Sequence, residues 1–184
     1  MTEYAKMLNG EVFDGADPEI SAVRDNAFLL SKQIANCLDA NEIQKLFKKL
    51  LNQIGEGSII REPFFCEFGK QISVGESSFI NMGAMMLDGA KITIGNHVMV
   101  GPSCQFYTAS HEVDYLSRRR WETFCLPITI EDDVWIGGNV VINQGVTIGA
   151  RSIVAAGSVV NQDVPPDSMV GGTPARLLRK LNIE

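Results

Sequence analysis

The sequence predicts a mainly β fold: a left-handed parallel β-helix with an N-terminal helical segment and a short basic C-terminal tail. Two observations lead to this prediction. Aliphatic residues return every six positions through much of the chain, and helical spacing is confined to the residues before them. A helical period of 3.6 residues does not return to phase at that interval, and simple strand alternation would repeat at every second residue, so the six-residue repeat indicates a solenoid. We divide the chain into a helical segment (1–56), a coil (57–170) and a tail (171–184).

The N-terminal segment carries two clear helix starts. Asp17-Pro18-Glu19 is typical of an N-cap with proline at the first helical position, and apolar residues follow at helical spacing. Asp39 has the same capping character, with a glutamate three positions later. We expect this second helix to end at Gly55 and a shorter helix to lie within residues 2–8.

The coil is most regular in its second half. Steps of six residues from Ile130 reach only β-branched aliphatic residues, namely Ile136, Ile142, Ile148, Val154 and Val160. We interpret each hexad as one short strand and one corner, so that three hexads complete a turn of a triangular prism with the aliphatic side chain inside. Parallel pairing between turns satisfies the backbone without hairpins. Left-handedness departs from the usual crossover rule and is inferred from the hexapeptide signature.

One long interruption breaks the coil. The period is lost over residues 111–127, a segment that begins at His111 and carries Trp121 after a run of three arginines. A long excursion from a regular scaffold is where binding and catalytic residues concentrate. The hexads fade again after Pro166, and the chain continues into the basic tail.

Composition limits the classes of function. The formal net charge of −6 argues against nucleic acid as the main partner. We expect no membrane span, because no apolar run is long enough, and no secretory signal, because no basic stretch precedes an apolar core. The four cysteines are scattered without a C-x-x-C pair. This favours free thiols in a reducing compartment, and hence a cytoplasmic protein, over disulfides or a zinc site.

Several segments resemble the hexapeptide-repeat acetyltransferases, most closely the maltose/galactoside O-acetyltransferase group. They are Met7–Gly10, Tyr107–His111, Ile130–Gly138, Val141–Gly149 and Val170–Arg176. The resemblance implies an enzyme that transfers acetyl from acetyl-CoA, its co-substrate, to a hydroxyl of a sugar or similar small acceptor, without a metal. It also implies a homotrimer with each active site between two subunits, which suits a prism with flat sides.

The resemblance assigns the acceptor side of the site. His111 is the expected general base, since a neutral imidazole removes the hydroxyl proton as the oxygen attacks the thioester, with no covalent enzyme intermediate. Proline commonly follows this histidine in the group, whereas here Glu112 does. The acceptor-binding residues are expected to be Asp17, Glu67, Asn81 and Asp88. Asp14 competes with Asp17 for its role, because the match around Gly15 is ambiguous.

The resemblance assigns a second group of residues to the cofactor. They are Asn81, Trp135, Gly138, Ala156, Asn161, Gln162, Arg176 and Arg179. Trp135 falls on an outward position of its hexad, which favours a binding role over a place in the core. Gln162 stands where a lysine is common. The arginine fork suits CoA phosphates, although for Arg179 a solvated basic tail explains the residue equally well.

Other functions can be built on the same coil. A γ-type carbonic anhydrase needs three histidine ligands for its metal, and the chain has only His97 and His111, so we reject it. His97 falls at a corner of a regular hexad, where a structural or solvated role is expected. A non-catalytic hexapeptide scaffold and an acetyltransferase for an antibiotic or for serine stay open as alternatives, because a fold does not determine the acceptor.

Overall fold

The helical segment follows its sequence signals at the start of each helix. The computed structural model describes residues 1–182, with helices at Glu3–Leu8 (α1), Pro18–Ala35 (α2) and Ala40–Leu50 (α3) and a short strand at Phe13–Asp14 (β1). The Asp17 carboxylate accepts the N–H of Glu19 at 2.8 Å, and Asp39 caps α3 in a similar way. Within residues 1–182, no helix has the length and apolar character that crossing a membrane requires.

Helix α3 ends earlier than predicted. It stops at Leu50, and Gln53–Ile54 (β2) already pairs in parallel with a strand one turn further along the coil. The coil therefore begins before residue 57. Gly55 is needed at the first corner and not as a helix stop, because a Cβ there would lie 2.4 Å from the backbone of Gly75.

The hexads form three parallel sheets, which are the faces of a prism. The first face joins β2 to Ile72–Val74 (β5), Ile92–Ile94 (β8), Ile128–Ile130 (β13) and Thr147–Ile148 (β16). The second contains Ile59–Ile60 (β3), Phe79–Ile80 (β6), Met99–Val100 (β9), Trp135–Ile136 (β14), Ile153–Val154 (β17) and Ser168–Gly172 (β19). The third contains Phe64–Cys66 (β4), Ala84–Leu87 (β7), Gln105–Tyr107 (β10), Val141–Asn143 (β15) and Val159–Val160 (β18). These strands pair in parallel, which confirms the predicted parallel β-helix.

The predicted inward positions form the core. The hexad residues from Ile130 to Val160 are at most 1% exposed. They stack on counterparts one turn away, as Ile130 does on Ile94 and Ile148. Burying each such side chain is worth about 1.5–3 kcal/mol relative to leaving it in water. Trp135, beside a buried isoleucine, is 52% exposed, which confirms its predicted outward position.

The excursion folds back on itself as a hairpin. Ala109–His111 (β11) and Glu122–Cys125 (β12) pair antiparallel, with a short helix, Tyr115–Arg119 (α4), between them. Strand β1 adds to the other edge of β12, so that residues 13, 123 and 111 lie in one row of a three-stranded sheet. The N-terminal segment is thereby joined to the loop that carries the predicted base.

The predicted tail forms a strand. Ala175–Lys180 (β20) runs antiparallel along β19 and covers the last edge of the second face. An uncovered edge would leave unpaired N–H and C=O groups, and this strand satisfies them. The side chains of Arg176 and Arg179 remain exposed.

Candidate active site

A cleft of about 300 Å³ lies where the N-terminal segment, the coil and the hairpin meet. We call it the His111 cleft. It is lined by Phe13, Gly15, Arg24, Glu67, Phe68, Leu87, Gly89, Ala109, His111, Trp121, Thr123 and Cys125. Two of the predicted site residues, His111 and Glu67, thus share one cleft although they are far apart in the sequence.

The His111 ring is held in one orientation. Its Nδ1 lies 3.1 Å from the backbone carbonyl oxygen of Glu122, on the opposite strand of the hairpin. Because a carbonyl oxygen can only accept, this hydrogen bond requires the proton on Nδ1. In the neutral imidazole, Nε2 then carries the lone pair and can accept a proton, which is the arrangement that a general base needs.

Glu67 forms an ion pair inside the same cleft. The Arg24 side chain donates to Glu67 Oε1 from Nε at 3.0 Å and approaches it with Nη2 at 2.8 Å. The guanidinium also lies over the Phe68 ring, 5.4 Å from its centre. Both charged side chains remain partly exposed, at 39% and 23%, so the pair can offer hydrogen-bonding groups to a ligand.

Asp88 is buried next to the cleft. Its side chain is 0% exposed, and its carboxylate accepts the backbone N–H groups of Glu67 at 3.0 Å, Phe68 at 2.8 Å and Gln71 at 3.3 Å. Burial raises the pKa of Asp88 to about 7, in opposition to these hydrogen bonds, which lower it. In the single chain the Asp88 carboxylate is not exposed to the cleft, and its predicted contact with an acceptor stays a prediction. Asp88 points inward between two residues that line the cleft, and it holds the backbone of two others.

The two candidate aspartates near the N-terminus both bond locally. Asp17 caps α2, whereas the Asp14 carboxylate accepts the N–H of Ala16 at 2.9 Å. Neither side chain lines the cleft, although Phe13 and Gly15, on either side of Asp14, do. The choice between them for the acceptor stays a prediction.

A second depression, of about 510 Å³, runs along the second face of the prism. We call it the Trp135 groove. It is lined by Phe79, Asn81, Met99, Val100, Gly101, Pro102, Trp135, Gly137, Gly138, Ile153, Val154, Ala155, Ala156 and Met169. Four of the residues predicted for the cofactor, Asn81, Trp135, Gly138 and Ala156, are brought together here. The Asn81 side-chain oxygen accepts the N–H of Met82 at 2.9 Å, which leaves its amide hydrogens available.

The other residues predicted for the cofactor lie outside this groove. Arg179 lines an adjoining depression that also contains Trp135 and Ile153. Arg176 donates to the neighbouring carbonyl of Ala175 at 2.8 Å. Asn161 and Gln162 are exposed at the corner that follows β18, on the third face.

The two clefts are separate within one chain. Among the described residues they have no lining residue in common, so His111 and Asn81 line different clefts. One chain therefore presents the predicted base in one cleft and the groove predicted for the cofactor in another.

Sequence reasoning missed several cleft residues. Phe13, Arg24, Phe68 and Thr123 have no local motif, and each comes to the cleft through long-range packing. In the sequence, Trp121 stands out only as part of the excursion. Its combination with His111 in one short segment was the available signal.

The cysteine among the described residues that line the cleft, Cys125, is not an activated thiol. Burial raises the pKa of Cys125 to about 12, which keeps it a neutral thiol near pH 7 and argues against a cysteine nucleophile. Among residues 1–182, no group of three histidine, cysteine or carboxylate side chains is placed to hold a metal ion.

Comparison with known proteins agrees with this architecture. A family model described as Bacterial transferase hexapeptide (six repeats) matches residues 127–162, and one described as Maltose acetyltransferase hexapeptide capping motif matches residues 6–55. Nodulation protein L of Rhizobium meliloti (strain 1021) is 43% identical over 178 residues, covering 96% of this chain and 97% of that protein.

Two crystal structures are similar over the whole chain. One is a hexapeptide-repeat-containing acetyltransferase from Vibrio cholerae O1 biovar eltor, complexed with acetyl coenzyme A, with 62% identity, a TM-score of 0.93 and 100% of both chains covered. The other is a maltose O-acetyltransferase from Clostridium difficile 630, with 34% identity, a TM-score of 0.97, and coverage of 100% of this chain and 99% of that chain. The chain belongs to the hexapeptide-repeat acetyltransferases, in their maltose/galactoside O-acetyltransferase group, and the predicted resemblance is confirmed.

Proposed function

We propose that this acetyltransferase uses acetyl-CoA to acetylate a hydroxyl of a sugar or similar small acceptor, with His111 as general base. The observation that carries the proposal is the bond from His111 Nδ1 to the Glu122 carbonyl oxygen, which leaves Nε2 free at the wall of a partly polar cleft. The similar chain from Vibrio cholerae holds acetyl coenzyme A, and another relative is a maltose O-acetyltransferase.

The reaction follows from the tautomer of the base. The acceptor hydroxyl gives its proton to Nε2 of His111 while its oxygen attacks the thioester carbonyl carbon. The C–O bond forms, the C–S bond breaks, and the CoA thiolate takes the proton back from the imidazolium. Proton transfer of this kind contributes on the order of 10² to 10⁴ in rate.

The Trp135 groove suits the pantetheine arm of the cofactor. Its lining is mostly apolar, and small residues such as Gly138 and Ala156 keep it open beside the Trp135 ring. The free Asn81 amide can donate a hydrogen bond to the thioester oxygen, where negative charge develops during attack. Arg179, in the adjoining depression, is the better placed of the two predicted arginines for a phosphate.

In this proposal the catalytic site is shared between two copies of the chain. His111 and Asn81 line clefts with no common residue, which supports an arrangement in which the base of one subunit meets the groove of its neighbour. A homotrimer with three equivalent sites provides this arrangement through one repeated, closed interface. Asn161 and Gln162, on another face, can then reach a neighbour's cofactor. The free thiols of all four cysteines agree with the expected cytoplasmic location, which stays a prediction.

Acetyl-CoA-dependent release of CoA, measured with a panel of sugars, acyclic polyols, serine and hydroxylated antibiotics, tests the proposal. His111→Ala should lower kcat by on the order of 10² or more with little change in the Kd for acetyl-CoA. His97→Asn is the matched control, because His97 is an exposed corner residue with φ of 55°, which asparagine tolerates. It should keep wild-type rates.

Other outcomes of the same assay would refute parts of the proposal. Transfer to serine or an antibiotic alone would overturn the sugar assignment. Binding of acetyl-CoA without transfer to any acceptor, or no binding at all, would favour a non-catalytic scaffold. A monomer that turns over at full rate would refute the shared site.

A further inference from the structure

The His111 cleft has an aromatic wall to which the proposed reaction assigns no role. Trp121 lies at the turn between α4 and β12. Its side chain lines the cleft, and the residue is 65% exposed. A tryptophan presents a large, rigid apolar face at low cost in side-chain entropy, which suits it to bind a ligand rather than to stay in water.

The backbone at Trp121 is in an unfavourable conformation. Its φ is 59°, in the left-handed region that residues with a bulky side chain seldom adopt. The other non-glycine residues of 1–182 with positive φ are all polar, namely Ser77, His97, Ser103, Asp133, Asn139, Arg151 and Asp167. Glycine or asparagine would form this turn more easily, so the turn itself does not explain a tryptophan. Backbone strain of this kind clusters at active sites and ligand-binding sites.

Trp121 and His111 line the same cleft. Thr123 is paired with His111 across the hairpin, and Trp121 lies two residues before Thr123 in the sequence, at the turn that leads into β12. The Arg24–Glu67 ion pair lines the same cleft and provides charged hydrogen-bonding groups. The cleft therefore combines an apolar aromatic surface, a polar surface and a base.

We propose that Trp121 determines acceptor specificity by stacking on the apolar C–H face of a pyranose. The hydroxyl edge of the same ring faces Arg24 and Glu67, and one ring hydroxyl is held at Nε2 of His111. This inference rests on the proposed acetyl transfer. An acyclic polyol offers the same hydroxyl groups without a rigid apolar face, so it gains little from the indole.

Steady-state kinetics with two acceptors of equal carbon number, a methyl pyranoside and an acyclic polyol, tests the role. Trp121→Gly should raise the KM for the pyranoside on the order of tenfold, leave kcat similar, and change the polyol KM little. Trp121→Phe should retain most of the selectivity because it keeps a ring. Because glycine accepts positive φ without strain, the Tm of Trp121→Gly should not fall, which separates loss of a ligand contact from loss of folding.

Fluorescence gives a readout that is independent of turnover. The chain has two tryptophans, and one lies in each cleft. In Trp135→Phe, saturating pyranoside should quench or shift the emission of Trp121. In Trp121→Phe, the pyranoside should have no such effect, whereas acetyl-CoA should change the emission of Trp135.

Three results would overturn the inference. The first is a Trp121→Gly variant with wild-type KM and selectivity, and the second is Trp121 emission that pyranoside leaves unchanged. The third is dissociation of the assembly in Trp121→Gly, seen by sedimentation together with the loss of activity, which would make Trp121 an interface residue. Failure of the proposed function looks different: wild type would release no CoA with any acceptor while Trp121 emission still responded to pyranoside.

Discussion

Replacing Asp88 with asparagine tests how a buried carboxylate supports the cleft. In the wild type its two oxygens accept three backbone N–H groups, including those of Glu67 and Phe68. The amide oxygen of D88N can still accept two of them. The amide nitrogen then faces the N–H of Gln71, so that two donors oppose each other in a buried site. Leaving a buried donor unsatisfied costs about 1–3 kcal/mol.

The penalty should depend on pH in a particular direction. Burial raises the pKa of Asp88 from 3.8 to about 7, so the folded state holds a proton that the unfolded state has lost between those values. The contribution of Asp88 to the free energy of unfolding is therefore greatest below about pH 4. It declines as the pH rises from about 4 through 7. A shift of this size corresponds to on the order of 4 kcal/mol. Since D88N does not titrate, it should be clearly less stable than wild type at pH 5 and about equal, or more stable, at pH 8.

Chemical denaturation of both proteins at several pH values, at one fixed protein concentration, measures the difference in the free energy of unfolding. Fixed concentration matters because unfolding of an oligomer depends on it. A gap that widens as pH rises would refute the reasoning, since it would mean that the three backbone hydrogen bonds outweigh burial and lower the pKa of Asp88. The acceptor KM of D88N should rise at either pH if the backbone of Glu67 and Phe68 shifts.

Two further predictions separate the clefts. Trp135→Leu should raise the KM for acetyl-CoA on the order of tenfold and leave the acceptor KM unchanged. Initial-rate kinetics with each substrate varied in turn measure both constants, and a rise in the acceptor KM alone would contradict the prediction. Arg24→Met should raise the acceptor KM, because Glu67 loses its partner, while stability measured by thermal unfolding changes by less than about 1 kcal/mol, as expected for a partly exposed pair. An unchanged acceptor KM would remove the pair from the acceptor site.

The sequence was sufficient to predict the coil because its core is repetitive. Each inward position, such as Ile142, makes the same contacts as its counterparts one turn above and below, so the requirement for an aliphatic residue recurs at a fixed interval. The helix starts were also predictable, since capping by Asp17 and Asp39 depends only on residues within the next turn. The end of α3 was not, because the strand at Gln53 forms only when the next turn is present.

The acceptor side was harder to predict because it depends on which way each corner residue points. Asp88 lies between Leu87 and Gly89, which both line the cleft, yet its own side chain is buried. A displacement of one residue along an extended chain reverses the side to which a side chain points, and similarity alone does not resolve that difference. Arg24 reads as one more polar position on a helix, and its partner Glu67 is 43 residues away.

The N-terminal segment supports the proposed base, His111, through hydrogen bonds and strand pairing. The tautomer of His111 depends on the Glu122 carbonyl, and Glu122 is held on its other side by pairing with Asp14. The Asp14 N–H in turn donates to Glu3 at 2.7 Å, so α1 is connected through β1 and β12 to the imidazole. A hairpin of two short strands is only marginally stable alone, and a third strand gives it the support that the proposed base requires. This is a physical reason for the N-terminal segment and the loop that carries His111 to occur in the same chain: the loop interrupts the prism, so its support has to come from outside the coil.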